Sequence, residues 1–374
     1  MAGQDRPNRR AILAAGTAGA GVGVAAVASA LPSPAVAQSQ PTVRWRLVSS
    51  FPKSLDTIYG AAEWIAARVA ALTDGRFQIR VFAAGEIVPG LQVLDAVRDG
   101  TVECGHTASY YYVGKDPTFA FDCSMPFGLN ARQQNAWMYA GGGLELMRTV
   151  FKEHGILQFP AGNTGAQMGG WFRKEVTSLD DLKGLKMRIG GIAGQALAKL
   201  GLVPQQVAAG EIYPALEKGA IDAAEWVGPH DDEKLGFNKV AKYYYYPGWW
   251  DGGPQISLLT NLAQWEALPS AYQAALETAC GDANARMLAR YDALNPQALK
   301  RLVAGGTILK PFPRDVMMAS YKAVQELFAE ISAANPRFKT IYDSWKPFLH
   351  DEYQWFRVSE FSFDNFVAIQ TAQR

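Results

Sequence analysis

The sequence predicts an α/β protein of two lobes built on one plan. Three observations carry that expectation. Stretches with strand alternation are separated by stretches with helical periodicity, the order of a sheet with crossover helices. This order runs through the chain twice, and 374 residues suit about two domains. The stretches "VRDGTVECG" (97–105) and "LEKGAIDAA" (216–224) share a layout: an apolar residue, a charged pair, Gly, a small residue, an apolar residue, an acid, then small residues. Helix–Gly–strand junctions occur in many α/β proteins, so this similarity counts only beside the other observations.

The elements follow in order. "TVRWRLVSSF" alternates and reads as a strand. "SLDTIYGAAEWIAARVAALTDG" carries an apolar helical stripe, with Ser54 or Asp56 as N-cap and Gly75 as the stop. "RFQIRVF" is the next strand, "GLQVLDAVRDG" a helix and "VECGHTA" a short strand. In the second pass, "SLDDLKGLKMRIG" sets Ser178 and Asp181 at capping-box spacing before a strand through Met187 and Ile189. "GIAGQALAKLG" is a helix, and "EIYPALEKGAIDAAEW" a helix, a stop at Gly219 and a strand. "TNLAQWEALPSAYQAALETACGDANARMLARYDALNPQALKRLV" is mostly helix, long enough to connect lobes. After the helical stretch "FPRDVMMASYKAVQELFAEISAAN", the tail is dense in aromatics: Trp345, Phe348, Tyr353, Trp355, Phe356, Phe361, Phe363 and Phe366. Rings at that density need a surface to bury them. The expected division is lobe I over 38–164 with about 252–292 returning to it, lobe II over 165–251 with about 293–335, and a helical dimerisation tail over 336–374.

The first residues read as an export signal rather than as part of the fold. Arg9 and Arg10 precede a weakly apolar run of Ala, Gly and Val, which ends in a small-x-small pattern at Ala35-Val36-Ala37. The run is too rich in Gly and Ala for a membrane anchor, and the arginine pair is twin-arginine-like. The expected location is the periplasm. Removing residues 1–37, which carry Arg6, Arg9, Arg10 and Asp5, leaves 33 basic and 34 acidic side chains. A balance this close to neutral carries no electrostatic footprint for nucleic acid. The three cysteines lack metal-ligand spacing, which leaves either a Cys104–Cys123 bridge or buried free thiols. The four histidines form no H-x-x-x-H pattern, so a zinc site is not expected. There is no G-x-S-x-G, no Ser–Lys pairing motif and no cluster of histidines, and His106 and His154 stand alone. An enzyme is therefore not expected.

One stretch asks for a special explanation. In "IDAAEWVGP", Glu225 sits beside Trp226 in small, apolar surroundings, and an unpaired buried charge is expensive. It either pairs within its lobe or meets a cation.

From "TSLDDLKGLKMRI" onward the chain resembles the solute-binding proteins of TRAP transporters. "LVPQQVAAGEIYPALEKGAIDAAEW" and "AAGEIVPGLQVLDAVRDGTVECGHT" match the family too, and the resemblance spans essentially all of the chain after the signal. It implies a bilobed, type II-like periplasmic solute-binding fold whose members deliver small organic acids to a membrane permease. Within the family the chain looks closest to the α-keto-acid-binding type. That likeness implies a ligand held with a sodium ion, or alternatively calcium, and a long C-terminal helix exchanged in a homodimer.

In the family, the arginine that ends "KGLKMR" pairs bidentately with the ligand carboxylate; here it is Arg188, whose fork suits a carboxylate better than a lysine would. A surface bridge to Asp180 or Asp181 is the plainer alternative. Many relatives carry a second arginine where this chain has Gln167 in "GNTGAQMGGWF". A neutral amide does not anchor a second carboxylate, but its oxygen suits a hard cation. The likeness also makes Glu225 and the Trp226 carbonyl metal ligands, with Asp251 a further one. A ligand carboxylate and Glu225 about 4 Å apart repel by about 4 kcal/mol at an effective dielectric near 20, and a cation between them reverses that sign. Tyr110, Tyr111 and Tyr112, with Trp226, Trp249 and Trp250, are the expected pocket walls; ordinary core packing is the alternative for each. The expected ligand is pyruvate or another short 2-oxo acid, with lactate plus calcium as the alternative. Presentation of the ligand to a sensor kinase rather than a permease also remains open.

Overall fold

The computed structural model describes residues 40–372, so the signal segment expected over 1–37 lies outside the described residues. The chain forms two sheets. Strands β1 (Val43–Ser49), β2 (Phe77–Phe82), β3 (Cys104–Thr107) and β4 (Ile156–Asn163) enter the first. Strands β5 (Gly170–Phe172), β6 (Lys186–Arg188), β7 (Val203–Gln205), β8 (Ala223–Ala224) and β9 (Tyr243–Tyr246) enter the second. Then β10 (Gln255–Asn261) returns to the first sheet and β11 (Ile308–Pro311) to the second. The spatial orders are β2-β1-β3-β10-β4 and β11-β9-β5-β8-β6-β7.

The two orders share a plan. In the first sheet β1 runs parallel to both β2 and β3, and antiparallel β10 follows beside β3. In the second, β6 runs parallel to both β7 and β8, and antiparallel β5 follows beside β8. The repeated layout at 97–105 and 216–224 leads into β3 and β8, which hold equivalent places. Each antiparallel strand belongs to a segment that has just crossed from the other sheet. The chain crosses between Asn163 and Gly170, and again between Tyr246 and Gln255.

Burial explains why the strands read as they do. Every residue of β4 is buried and β10 is buried from Gln255 to Thr260, so neither alternates cleanly. The helix Ser270–Ala304 runs for 35 residues and packs along β4 and the helix Ile58–Leu72. One cap differs from expectation. The helix Ile58–Leu72 begins after Thr57 without a side-chain cap. Asp56 instead meets His230 at 3.1 Å, Arg290 at 3.4 Å and the Lys234 ammonium. Two cationic side chains and a histidine outcompete a neutral backbone donor for that carboxylate. The three cysteines are free and buried. Among the described residues no helix is long and apolar enough to cross a membrane.

The tail forms the helices Pro336–Val358 and Glu360–Ala372. Its rings divide. Trp345 is buried, packed against Phe121, Phe328 and Tyr342. Tyr353, Trp355, Phe361, Phe363 and Phe366 are exposed.

Candidate functional site

The parallel strands direct the key residues to one place. Arg188 ends β6, Glu225 and Trp226 follow β8, and Tyr110 and Tyr111 lie in the single turn Ser109–Tyr112 after β3. Carboxyl ends of parallel strands are where α/β sheets bind ligands. Gln167 lies on the first crossing between sheets, and Trp250 and Asp251 on the second. Backbone hydrogen bonds lace the crossings together: Gln167 N donates to Asp251 O (3.0 Å), Gly248 N to Gln167 O (3.0 Å) and Met168 N to Val227 O (3.0 Å). At Gly248 a side chain has no room, because a Cβ would lie 2.6 Å from the Met168 carbonyl oxygen.

Arg188 is 1 % exposed. Its Nε donates to the Val207 carbonyl at 3.2 Å, and Nη1 donates to the Glu225 carbonyl at 3.1 Å. Nη1 also forms an ion pair with the Glu225 carboxylate, and the guanidinium lies 5.0 Å from the centre of a Trp226 ring. Neither Asp180 nor Asp181 touches it: Asp180 pairs with Lys183, and Asp181 accepts from Thr177 and Ser178. Burial acts to depress the Arg188 guanidinium, but the adjoining carboxylate outweighs it and holds the arginine charged. Burial pushes the Glu225 carboxyl up, against the pull of Arg188, and Asp251 reinforces the rise. Burial likewise pushes Asp251 up, against the nearby Ser124 hydroxyl and the charge of Arg188.

The Gln167 amide tests whether a cation fits. In one orientation its nitrogen donates to Thr164 Oγ1 at 3.0 Å. The amide oxygen then lies 2.6 Å from the Trp226 carbonyl oxygen and 3.2 Å from Asp251 Oδ2, three acceptors facing one another. Turning the amide over places its nitrogen there and repairs the contacts with neutral hydrogen bonds. A hard cation repairs them in the first orientation. Glu225 Oε2 is likewise buried without a partner. The donors are oxygens only, the chemistry of sodium or calcium and not of zinc. Among the described residues no three His, Cys, Asp or Glu side chains form a metal cluster. This set mixes carboxylates with an amide and a backbone carbonyl.

Cavities open on both sides of Tyr110. One, a narrow cleft, is lined by Tyr110, Ser124, Pro126, Glu225, Trp250 and Asp251 together with Ile189–Ala193. The other, equally narrow, is mostly apolar and includes Phe51, Ile58, Tyr111, Gln167, Trp226 and Ile256. Tyr111 lies beside Arg188, and burial pushes its phenol up to about 12. Tyr112 is placed elsewhere: its hydroxyl bonds Thr107 Oγ1 (2.8 Å) and Leu94 N (3.2 Å) inside the first lobe's core, and it lines neither cavity. In a one-turn helix consecutive side chains point apart, so three adjacent tyrosines cannot share one wall. Sequence reasoning missed Ser124, Pro126 and the Gly190–Gly191 turn, whose small or neutral residues carry no chemical signal of their own.

A family model described as bacterial extracellular solute-binding protein, family 7, matches residues 48–335. The chain belongs to that family. It is a TRAP-type solute receptor, and the family is one of transport receptors rather than enzymes. A monocarboxylate 2-oxoacid-binding periplasmic protein of Nostoc sp. is 56% identical over 328 residues, 88% of this chain and 90% of that protein. A solved TRAP transporter solute-binding protein of Bordetella bronchiseptica, with copurified calcium and picolinate, is 58% identical. It superposes with a TM-score of 0.88 and covers 89% of this chain and 99% of its own. One from Pseudoalteromonas atlantica, with bound sodium and pyruvate, is 39% identical with a TM-score of 0.84, covering 87% of this chain and 99% of its own. The bilobed α/β fold expected from the sequence is the fold of these receptors.

Proposed function

We propose that this solute receptor captures a short 2-oxo monocarboxylate of the pyruvate type together with sodium or calcium, and hands it to a membrane permease. The observation that carries the reading is the buried Arg188–Glu225 pair set beside the convergent oxygens of Gln167, Trp226 and Asp251. The relatives that hold pyruvate with sodium, or calcium with a small carboxylate, support it.

Arg188 anchors the ligand carboxylate. In the structure Glu225 occupies that arginine, so an incoming carboxylate takes over a place a carboxylate already fills. Glu225 then turns its oxygens toward Gln167, the Trp226 carbonyl and Asp251. A cation held there supplies the positive charge that lets two carboxylates share one buried site. Tyr111 and Tyr110 from the first lobe face Trp226 and Trp250 from the second, and exclude water. Lobe I is assigned to 38–164 plus about 252–292, lobe II to 165–251 plus about 293–335, and capture is closure about the crossings. The arginine pair and Ala35–Ala37 support export to the periplasm with removal of the first residues. The exposed rings of the tail support a homodimer.

The test is calorimetric titration of pyruvate into extensively dialysed protein in sodium, in calcium and in a large organic cation. Binding is expected in the first two buffers only. Equal affinity in all three, with no metal retained after dialysis, would overturn the reading.

A further inference from the structure

The second crossing, which carries Trp250 and Asp251, is braced from behind. The brace is the segment Phe127–Ala131. Phe127 N donates to the Trp249 carbonyl at 2.7 Å, and its ring stacks on Trp249 with centroids 4.8 Å apart and planes 10° apart. Backbones meet directly alongside. A Cβ on Gly252 would lie 2.9 Å from the Leu129 carbonyl oxygen, and one on Gly253 would lie 2.1 Å from Ala131 N. Ser124, just upstream, donates to the Trp250 carbonyl at 3.1 Å.

The same segment is gripped on its far side by the C-terminal tail. The Tyr353 hydroxyl shares its proton between the carbonyls of Phe127 (2.8 Å) and Gly128 (2.9 Å). Trp345 packs so close to Gly128 that a Cβ there would lie 3.0 Å from the indole. Between these grips Phe127 has φ 51°, a left-handed conformation that a residue with a Cβ adopts only when its surroundings impose it. Tyr321 closes the remaining side, edge-on to the Phe127 ring at 5.2 Å.

We infer that Tyr353 is a positioning residue for the ligand site: through Phe127 it fixes the placement of Trp249–Asp251, so ligand affinity depends on a seated tail. The inference rests on the reading of Trp250 and Asp251 as site residues. Tyr353 touches no part of either cavity beside Tyr110, and acts only through the strained turn. Its hydroxyl holds the carbonyls of Phe127 and Gly128, which fixes ψ of the strained residue whose N–H meets Trp249. Without that hold the turn relaxes toward an ordinary backbone conformation, and Trp249 loses its stacking partner.

The experiment uses the full chain with Tyr353→Phe, Phe127→Leu and both together. It measures pyruvate affinity in sodium by calorimetry, melting temperature without ligand, and mass by light scattering. Tyr353→Phe is expected to weaken pyruvate binding roughly threefold to tenfold, the worth of one net hydrogen bond, with mass unchanged and the ligand-free melting temperature lowered by at most a few degrees. Phe127→Leu keeps the tail contacts of the backbone and is expected to weaken binding similarly. The double variant should lose less than the sum, because both act along one path. Unchanged affinity in Tyr353→Phe, or lost stability with unchanged affinity, overturns the inference. If stability and affinity fall together, the double variant decides: a sub-additive loss of affinity supports the path and an additive one overturns it. Arg188→Lys, measured alongside, tests the site itself, so failure of the site and failure of the brace give different patterns.

Discussion

Replacing Glu225 by Gln separates a cation ligand from a structural ion pair. Both partners of the Arg188–Glu225 pair are 2 % exposed in their side chains, so water screens neither. Removing the carboxylate has opposite effects in the two states. Without ligand, Arg188 loses its counter-charge, and breaking a buried pair typically costs about 3–5 kcal/mol. The empty variant should therefore melt well below the wild type. With ligand, the incoming carboxylate restores the missing charge. It also no longer meets Glu225, a repulsion of about 4 kcal/mol at about 4 Å and an effective dielectric near 20, equivalent to roughly a thousandfold in affinity. In sodium, however, the variant has lost one of the cation's oxygens. The affinities should cross: pyruvate binds the variant more weakly than the wild type in sodium, and more strongly than the wild type in a large organic cation. Calorimetric titration in the two buffers reads both. Identical sodium dependence in variant and wild type would refute the reasoning and leave Glu225 as an ordinary ion-pair partner.

Arg188→Lys should lower pyruvate affinity by more than tenfold while the melting temperature moves little, since a point charge replaces a fork; near-normal affinity would show that the anchor lies elsewhere. Stability should depend on pH with a definite sign. Burial pushes Asp122 and Asp231 up to about 6 and Asp232 up to about 7, so their contribution is full below the ordinary carboxylate value and is lost as pH rises through 6 to 7. Asp56, Glu103 and Asp116 are held low and act only in more acid solution. The melting temperature is thus expected to fall between about pH 4 and pH 7, and Asp122→Asn should flatten the slope; a rising temperature over that range contradicts it. Phe361→Asp with Phe363→Asp, placed on rings 64 % and 67 % exposed, should give a folded monomer by light scattering, and a persistent dimer counts against the tail as the interface.

Local pattern made most of the fold legible. Alternation and helix stops located β1–β3, and the capping box of Ser178 and Asp181 formed as its spacing implied. Connectivity between sheets was only hinted at by the repeat that leads into β3 and β8. The antiparallel places of β5 and β10 depend on partners far along the chain, which no local window contains. At the site, Arg188 and Glu225 announced themselves as charges in apolar settings. Tyr110 and Tyr112 could not be told apart, because facing is set by the turn and not by residue type. Asp56 showed the reverse failure: its spacing said cap, and two distant cations and a histidine took it instead. The tail was read as one sticky surface, whereas its first half, through Phe338, Ile341 and Trp345, is core. Truncation near Asn335 would therefore unmake the fold along with any interface.

The first sheet is finished late in the chain. β10 joins β3 to β4, so Leu258 pairs with His106 from roughly 150 residues upstream, and pairings that distant are slow to close. Gln167 and Asp251 lie on the departure and return strokes that make this closure necessary, and the bond between their backbones ties the two strokes together. The pocket therefore requires this distant pairing, and opening the pairing unmakes the pocket. A bound acid acts as a clasp on that seam. It should prolong the lifetime of the folded chain against unfolding while leaving the speed of folding almost untouched.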